Sequence, residues 1–138
     1  MNKFCFVVLI CCLAMVSAEL PDWYPQDEPA IEAKCRDENS ITSDTMTKIW
    51  SHQIDDTPEI RKFLLCLAEN KNVFNSDMGF KADRLQIIMK ERAKMDCKLE
   101  FVEGCEMGAK DIKPDDAMIF NIMKCIVDGL KENCKKIE

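Results

Sequence analysis

Nine cysteines in 138 residues constrain this chain more than any other feature, once the compartment in which they work is fixed. Lys3 gives a short positive start, Phe4 to Val16 form an unbroken apolar run, and Val16-Ser17-Ala18 offers the small residues at which a signal peptidase cuts. The run is shorter than the roughly 18 apolar residues that span a bilayer, and no later stretch reaches that length. Residues 1–18 therefore read as a secretory signal peptide and residues 19–138 as one exported, extracellular domain without membrane insertion. Removing the leader takes away Cys5, Cys11 and Cys12 and leaves Cys35, Cys66, Cys97, Cys105, Cys125 and Cys134. An even number of cysteines in an exported chain implies disulfides, with about fifteen connectivities open on arithmetic alone. Zinc is a weak rival and no metal site is expected: there is no Cys-x-x-Cys pair, and His52 is the sole histidine.

The balance of 19 basic and 25 acidic residues, net −6, repels nucleic-acid phosphates and argues against an anionic membrane surface. Only four glycines occur, and apolar positions recur at helical spacing from segment to segment, so an all-α fold without strands is expected. Thr57 as N-cap and Pro58 at the first helical position open a helix that reaches about Asn70, with Ile60, Phe63, Leu64 and Leu67 on one face. Asn75 to Gly79 reads as a turn, followed by helices over Ala82–Lys94 and Asp96–Ala109. In the second of these, Cys97, Phe101 and Cys105 would share a side. The last helix has Pro114 in its first turn and a stripe of Ile119, Ile122, Met123, Ile126, Val127 and Leu130. Two shorter helices, roughly Glu28–Arg36 and Thr42–His52, precede these behind a proline-broken start.

Within this pattern, Cys66 with Leu67-Ala68-Glu69-Asn70, then Val73-Phe74-Asn75, Gly79-Phe80 and Asp83-Arg84-Leu85, resembles the third cysteine and the following turn and helix of the insect odorant-binding proteins, the pheromone and general odorant-binding family. The likeness covers about residues 30 to 130. Cys35, Cys105 and Cys125 fall at the family's first, fourth and sixth positions, while Lys62 and Asp116 stand where its second and fifth cysteines would be. The family pairs those two with each other, and their joint loss is the mark of its minus-C subclass. The resemblance implies a six-helix, disulfide-linked bundle around an apolar cavity, with Cys35 bonded to Cys66 and Cys105 to Cys125. Cys97 and Cys134 depart from the subclass pattern and most simply bond to each other. A competing register takes Cys125 and Cys134 as the fifth and sixth positions, at the cost of too long a gap from Cys105. In an ideal helix the nine residues from Cys125 to Cys134 turn about 180°, so a Cys97–Cys134 bridge beside Cys105–Cys125 needs a frayed or bent last turn near Gly129. Lys62 and Asp116, opposite charges in place of a bridge, are a candidate salt bridge worth about 0 to 1 kcal/mol.

The resemblance further implies a carrier of odorants, pheromones or similar lipophiles, acting by encapsulation and release, with a membrane receptor as a further partner and a monomer or weak dimer as its state. No cofactor is called for. The residues expected around the ligand are Ile49, Trp50, Phe63, Leu67, Phe74, Leu85, Ile88, Met89, Phe101, Met118, Ile119, Ile122, Met123 and Ile126. Seven methionines remain after residue 18, adaptable side chains suited to irregular ligands, although each taken singly also reads as core. No enzyme signature accompanies His52, which reads as an exposed or capping residue at a helix end. A calcium loop centred on Gly79 fails because Phe74 and Met78 occupy ligand positions. The rival function is a secreted helical signalling or interaction protein with a filled core. Saposin-type lipid binding and hydrolysis rank below it.

Overall fold

In the computed structural model, residues 19–138 are described, and the signal-peptide reading of residues 1–18 lies outside them. The domain has six helices: α1 (Glu28–Glu38), α2 (Ser43–Trp50), α3 (Pro58–Asn70), α4 (Ala82–Arg92), α5 (Leu99–Ala109) and α6 (Asp115–Asn133). Four very short strands, β1 (Phe74–Asn75), β2 (Gly79–Phe80), β3 (Met95–Cys97) and β4 (Cys134–Lys136), form two antiparallel ribbons, β1 with β2 and β3 with β4.

Local chemistry sets most of the helix boundaries. The side chains of Asp27, Thr42 and Thr57 accept from the backbone N–H groups of Ala30, Thr45 and Ile60, so α1, α2 and α3 each start on a side-chain cap. Pro58 opens α3 and Pro29 sits in the first turn of α1, where the missing N–H removes no helical hydrogen bond. The β1–β2 turn is closed by Asn75, whose Oδ1 accepts from the N–H groups of Asp77 and Met78 at 3.0 and 2.6 Å. Gly79, at φ +75°, supplies the backbone that a side chain would resist.

The long helix α6 forms the centre. It buries Ala117, Met118, Ile119, Phe120, Ile122 and Ile126, and both α3 and α5 pack along it. The bridges tie neighbouring elements: Cys35–Cys66 joins α1 to α3, Cys105–Cys125 joins α5 to α6, and Cys97–Cys134 crosses the β3–β4 ribbon. The first two are the pairings the family resemblance implies, and the third joins the two cysteines left over from its pattern.

Six sequence expectations need correction. Strands do occur, and residues 95–97 are one of them, so α5 begins at Leu99 and Cys97 does not share a helix with Phe101 and Cys105. The preceding helix α4 stops at Arg92 because Lys94 turns to φ +55°. Pro114 caps α6 from outside its first turn, and α6 runs unbroken past Gly129 to Asn133; Cys134 reaches Cys97 from an extended segment, with no frayed turn. Lys62 and Asp116 form no ion pair. The cation nearer to that role is Arg61, which pairs with Asp56, lies 5.7 Å from the Phe120 ring centre and has its pKa raised by Asp56 and, more weakly, by Asp116.

Candidate functional site

The inner faces of α2, α3, α4 and α6 leave a pocket of about 200 Å3 between them. Its wall is apolar on almost every side: Met46, Ile49 and Trp50 from α2; Phe63, Leu64, Leu67 and Ala68 from α3; Val73 and Phe80 from the following loop and β2; Leu85, Ile88 and Met89 from α4, with Ala93 just beyond; and Ile119 and Met123 from α6. Phe63 and Ile119 are each 1% exposed and form its floor, whereas Trp50 is 57% exposed and stands at its rim.

The helical period explains why these residues meet. On α3, Phe63, Leu64, Leu67 and Ala68 follow a three-to-four spacing, and so do Leu85, Ile88, Met89 and Arg92 on α4 and Ile119 and Met123 on α6. Nine of the fourteen residues expected from the sequence line the pocket: Ile49, Trp50, Phe63, Leu67, Leu85, Ile88, Met89, Ile119 and Met123. The other five do not. Phe74, Met118, Ile122 and Ile126 are buried core, and Phe101 is a partly buried residue of α5 whose ring tip meets Gly129 of α6.

One corner of the pocket is charged: Glu32, Lys71 and Arg92 also line it. Arg92 holds Glu32 with a bidentate pair, Nε to Oε1 at 3.0 Å and Nη2 to Oε2 at 2.9 Å. The Lys71 ammonium, 8% exposed as a residue, donates to Glu32 Oε1 at 3.0 Å and lies 3.2 Å from Glu28 Oε1. That second contact is an ion pair without hydrogen-bond geometry, and Glu28 Oε1 has no donor among the described residues. Glu28 Oε2 accepts from the Tyr24 hydroxyl at 2.7 Å. Burial pushes the Glu32 carboxyl up, but its hydrogen bonds from Arg92 and Lys71 outweigh burial and hold its pKa below the usual value. Burial and the neighbouring Glu28 push the Tyr24 phenol up, so it stays protonated and donating.

Nothing local in the sequence marks this corner, because Glu32, Lys71 and Arg92 are common surface residue types. Each is also far from the others along the chain, with Glu32 and Arg92 separated by 60 positions. Met46, Leu64, Ala68, Val73 and Phe80 were visible as apolar residues, but nothing local distinguished pocket from core.

No group of acidic, histidine or cysteine side chains among the described residues could hold a metal ion. His52 follows α2 at φ +63° as an exposed helix-ending residue. No helix among the described residues is long and apolar enough to cross a membrane.

A six-helix, disulfide-linked bundle with an apolar pocket defines a class of small binding proteins. The chain belongs to the PBP/GOBP family, the insect odorant- and pheromone-binding proteins, whose model matches residues 18–128. No curated protein sequence matches it. The family is one of small carriers rather than enzymes, and its matched span stops before Cys134 and β4.

Proposed function

We propose that this protein is a secreted carrier that reversibly binds small hydrophobic molecules, odorants, pheromones or similar lipophiles, in the pocket between α2, α3, α4 and α6. The observation that carries this reading is a pocket of about 200 Å3 whose wall is apolar apart from one corner. A dry apolar cavity of about 150 Å3 takes benzene, so this one has room for a guest of about eight non-hydrogen atoms, with more if the rim at Trp50 yields. Burying eight methylene-sized units at about 0.8 kcal/mol each gives about 6 kcal/mol before losses, a dissociation constant in the tens of micromolar. That strength suits pick-up and release. No bond is made or broken.

The test is displacement of a fluorescent naphthylamine from the purified domain, with Leu67→Trp as the control variant. Leu67 is half-buried on the pocket wall, and an indole there fills the space a guest would use. Wild type should show saturable binding, and Leu67→Trp should keep the helical circular dichroism while losing at least tenfold in affinity. Absence of saturable binding by the wild-type protein returns the rival reading, a secreted interaction protein with a filled core. Export itself is checked by N-terminal sequencing of the secreted product, which should begin at Glu19.

A further inference from the structure

The charged corner of the pocket has donors to spare, while its one acceptor without a donor among the described residues, Glu28 Oε1, belongs to a residue that does not line the pocket. Glu32 Oε1 receives both Lys71 Nζ and Arg92 Nε, and Glu32 Oε2 receives Arg92 Nη2. The Lys71 ammonium has three hydrogens; one goes to Glu32, and Glu28 Oε1, 3.2 Å away, takes none in hydrogen-bond geometry. The others have no acceptor among the described residues, although Lys71 lines the pocket and is nearly buried. Arg92 also has an Nη1 amino group without an acceptor among the described residues, on a side chain that is partly exposed. An empty hydrogen-bonding position on a donor beside a water-poor pocket is satisfied by a guest that brings an acceptor.

The charge count narrows that guest. Glu28 and Glu32 balance Lys71 and Arg92, and the Tyr24 hydroxyl spends its proton on Glu28. A carboxylate guest would add a third negative charge to a corner already neutral and poorly hydrated, where like charges interact strongly. A hydrocarbon would leave the Lys71 donor unmet.

We infer that the pocket selects guests with a single neutral hydrogen-bond acceptor, a ketone, aldehyde or ester oxygen, received by the Lys71 ammonium, over hydrocarbons and fatty carboxylates of equal size. This deepens the carrier reading and rests on it. A neutral acceptor on a charged donor in a desolvated site is worth at least a factor of ten in affinity over no acceptor.

The experiment is probe displacement at pH 7.5 by four guests of about nine non-hydrogen atoms, matched to the pocket's size: nonane, 2-octanone, methyl hexanoate and heptanoate. The ketone and the ester should displace at concentrations at least tenfold lower than nonane or heptanoate. Equal displacement by nonane and 2-octanone, or strongest displacement by heptanoate, overturns the inference and leaves the carrier reading standing. Failure of the probe itself to bind overturns both. The paired change Lys71→Met with Glu28→Gln removes one cation and one anion, so no buried charge is stranded, and Gln keeps an acceptor for Tyr24. In this variant the ketone should lose its tenfold advantage over nonane, while the bound ketone's carbonyl stretch moves back towards its value in hydrocarbon. An undiminished ketone preference there excludes Lys71 as the donor.

Discussion

At the scale of single residues, two positions do work that their types alone would not suggest. Gly129 lies mid-helix in α6, where alanine would ordinarily gain about 1 kcal/mol. A Cβ at that point would stand 2.6 Å from both Cε2 and Cζ of Phe101, closer than carbon atoms can approach. Overpacking of that kind costs about 1 to 3 kcal/mol. Gly129→Ala should therefore destabilise the protein by about 1 kcal/mol, and the same change should become stabilising in a Phe101→Leu background, where the ring tip is gone. Urea unfolding of the four proteins of that cycle measures it; a Gly129→Ala effect of unchanged sign in both backgrounds excludes the Phe101 contact as its cause. Glu32 makes the second case. Its folded pKa is held below the value of 4.5 it has when unpaired, so it favours the folded state above about pH 5 and this contribution fades as acid protonates it. Stability against pH should fall on the acid side in wild type, and Glu32→Gln should flatten that fall. Acid limbs of equal slope in the two proteins would show that Glu32 is not its source.

At the scale of elements, α2 differs from its neighbours. It supplies Met46, Ile49 and Trp50 to the pocket, yet it has no fully buried residue and no disulfide, and positive-φ residues Ser40 and His52 flank it. An element with little buried apolar surface opens at low free energy. Hydrogen exchange should be faster in α2 than in α3 and α6, and saturation with the fluorescent probe should slow α2 most. Equal protection of α2 and α6 without a guest would contradict this. The same contrast explains what could be read from the chain in advance. Helices α3 and α6 were legible because end signals and an apolar stripe agree within a few residues: Thr57 as cap with Pro58, Phe63 and Leu67 in one case, the first-turn acid Asp115 with Ile119, Ile122 and Ile126 in the other. Strand β3 was not, because its three residues gain their hydrogen bonds from Cys134 to Lys136, more than 30 positions away, and no local period records that partnership. The pocket was half legible for a related reason. Periodicity tells which residues face inward, as it did for Ile122 and Met123 alike, but only the packing of α6 along α3, with α4 across the hollow, decides that Met123 meets the hollow while Ile122 fills the core.

For the whole molecule, the three bridges differ less in thermodynamic weight than in what they hold. They close loops of 31, 37 and 20 residues, and loop entropy grows only logarithmically, so each should stabilise by about 3 to 4 kcal/mol in the chain-entropy account. Their positions separate them. Cys35–Cys66 binds α1 to α3 and so draws Glu32 against the Lys71 that ends α3; Asn70, one turn beyond Cys66, donates back to the Cys66 carbonyl at 2.8 Å. Cys97–Cys134 instead fastens the β3–β4 ribbon, and neither of its cysteines nor any other ribbon residue lines the pocket. Its second cysteine and β4 also lie past the end of the family match at residue 128, so β4 attaches to the matched span through β3. Stability and binding should thus come apart. Replacing Cys97 and Cys134 with serine should lower unfolding free energy by about 3 kcal/mol while probe affinity stays within twofold of wild type. Replacing Cys35 and Cys66 should lower stability comparably and weaken the probe at least fivefold, because α1 and α3 lose the tie that brings the charged corner together. Paired chemical denaturation and probe titration on both variants decide it: a parallel loss of affinity in the two would mean that the bundle transmits strain from the ribbon to the pocket.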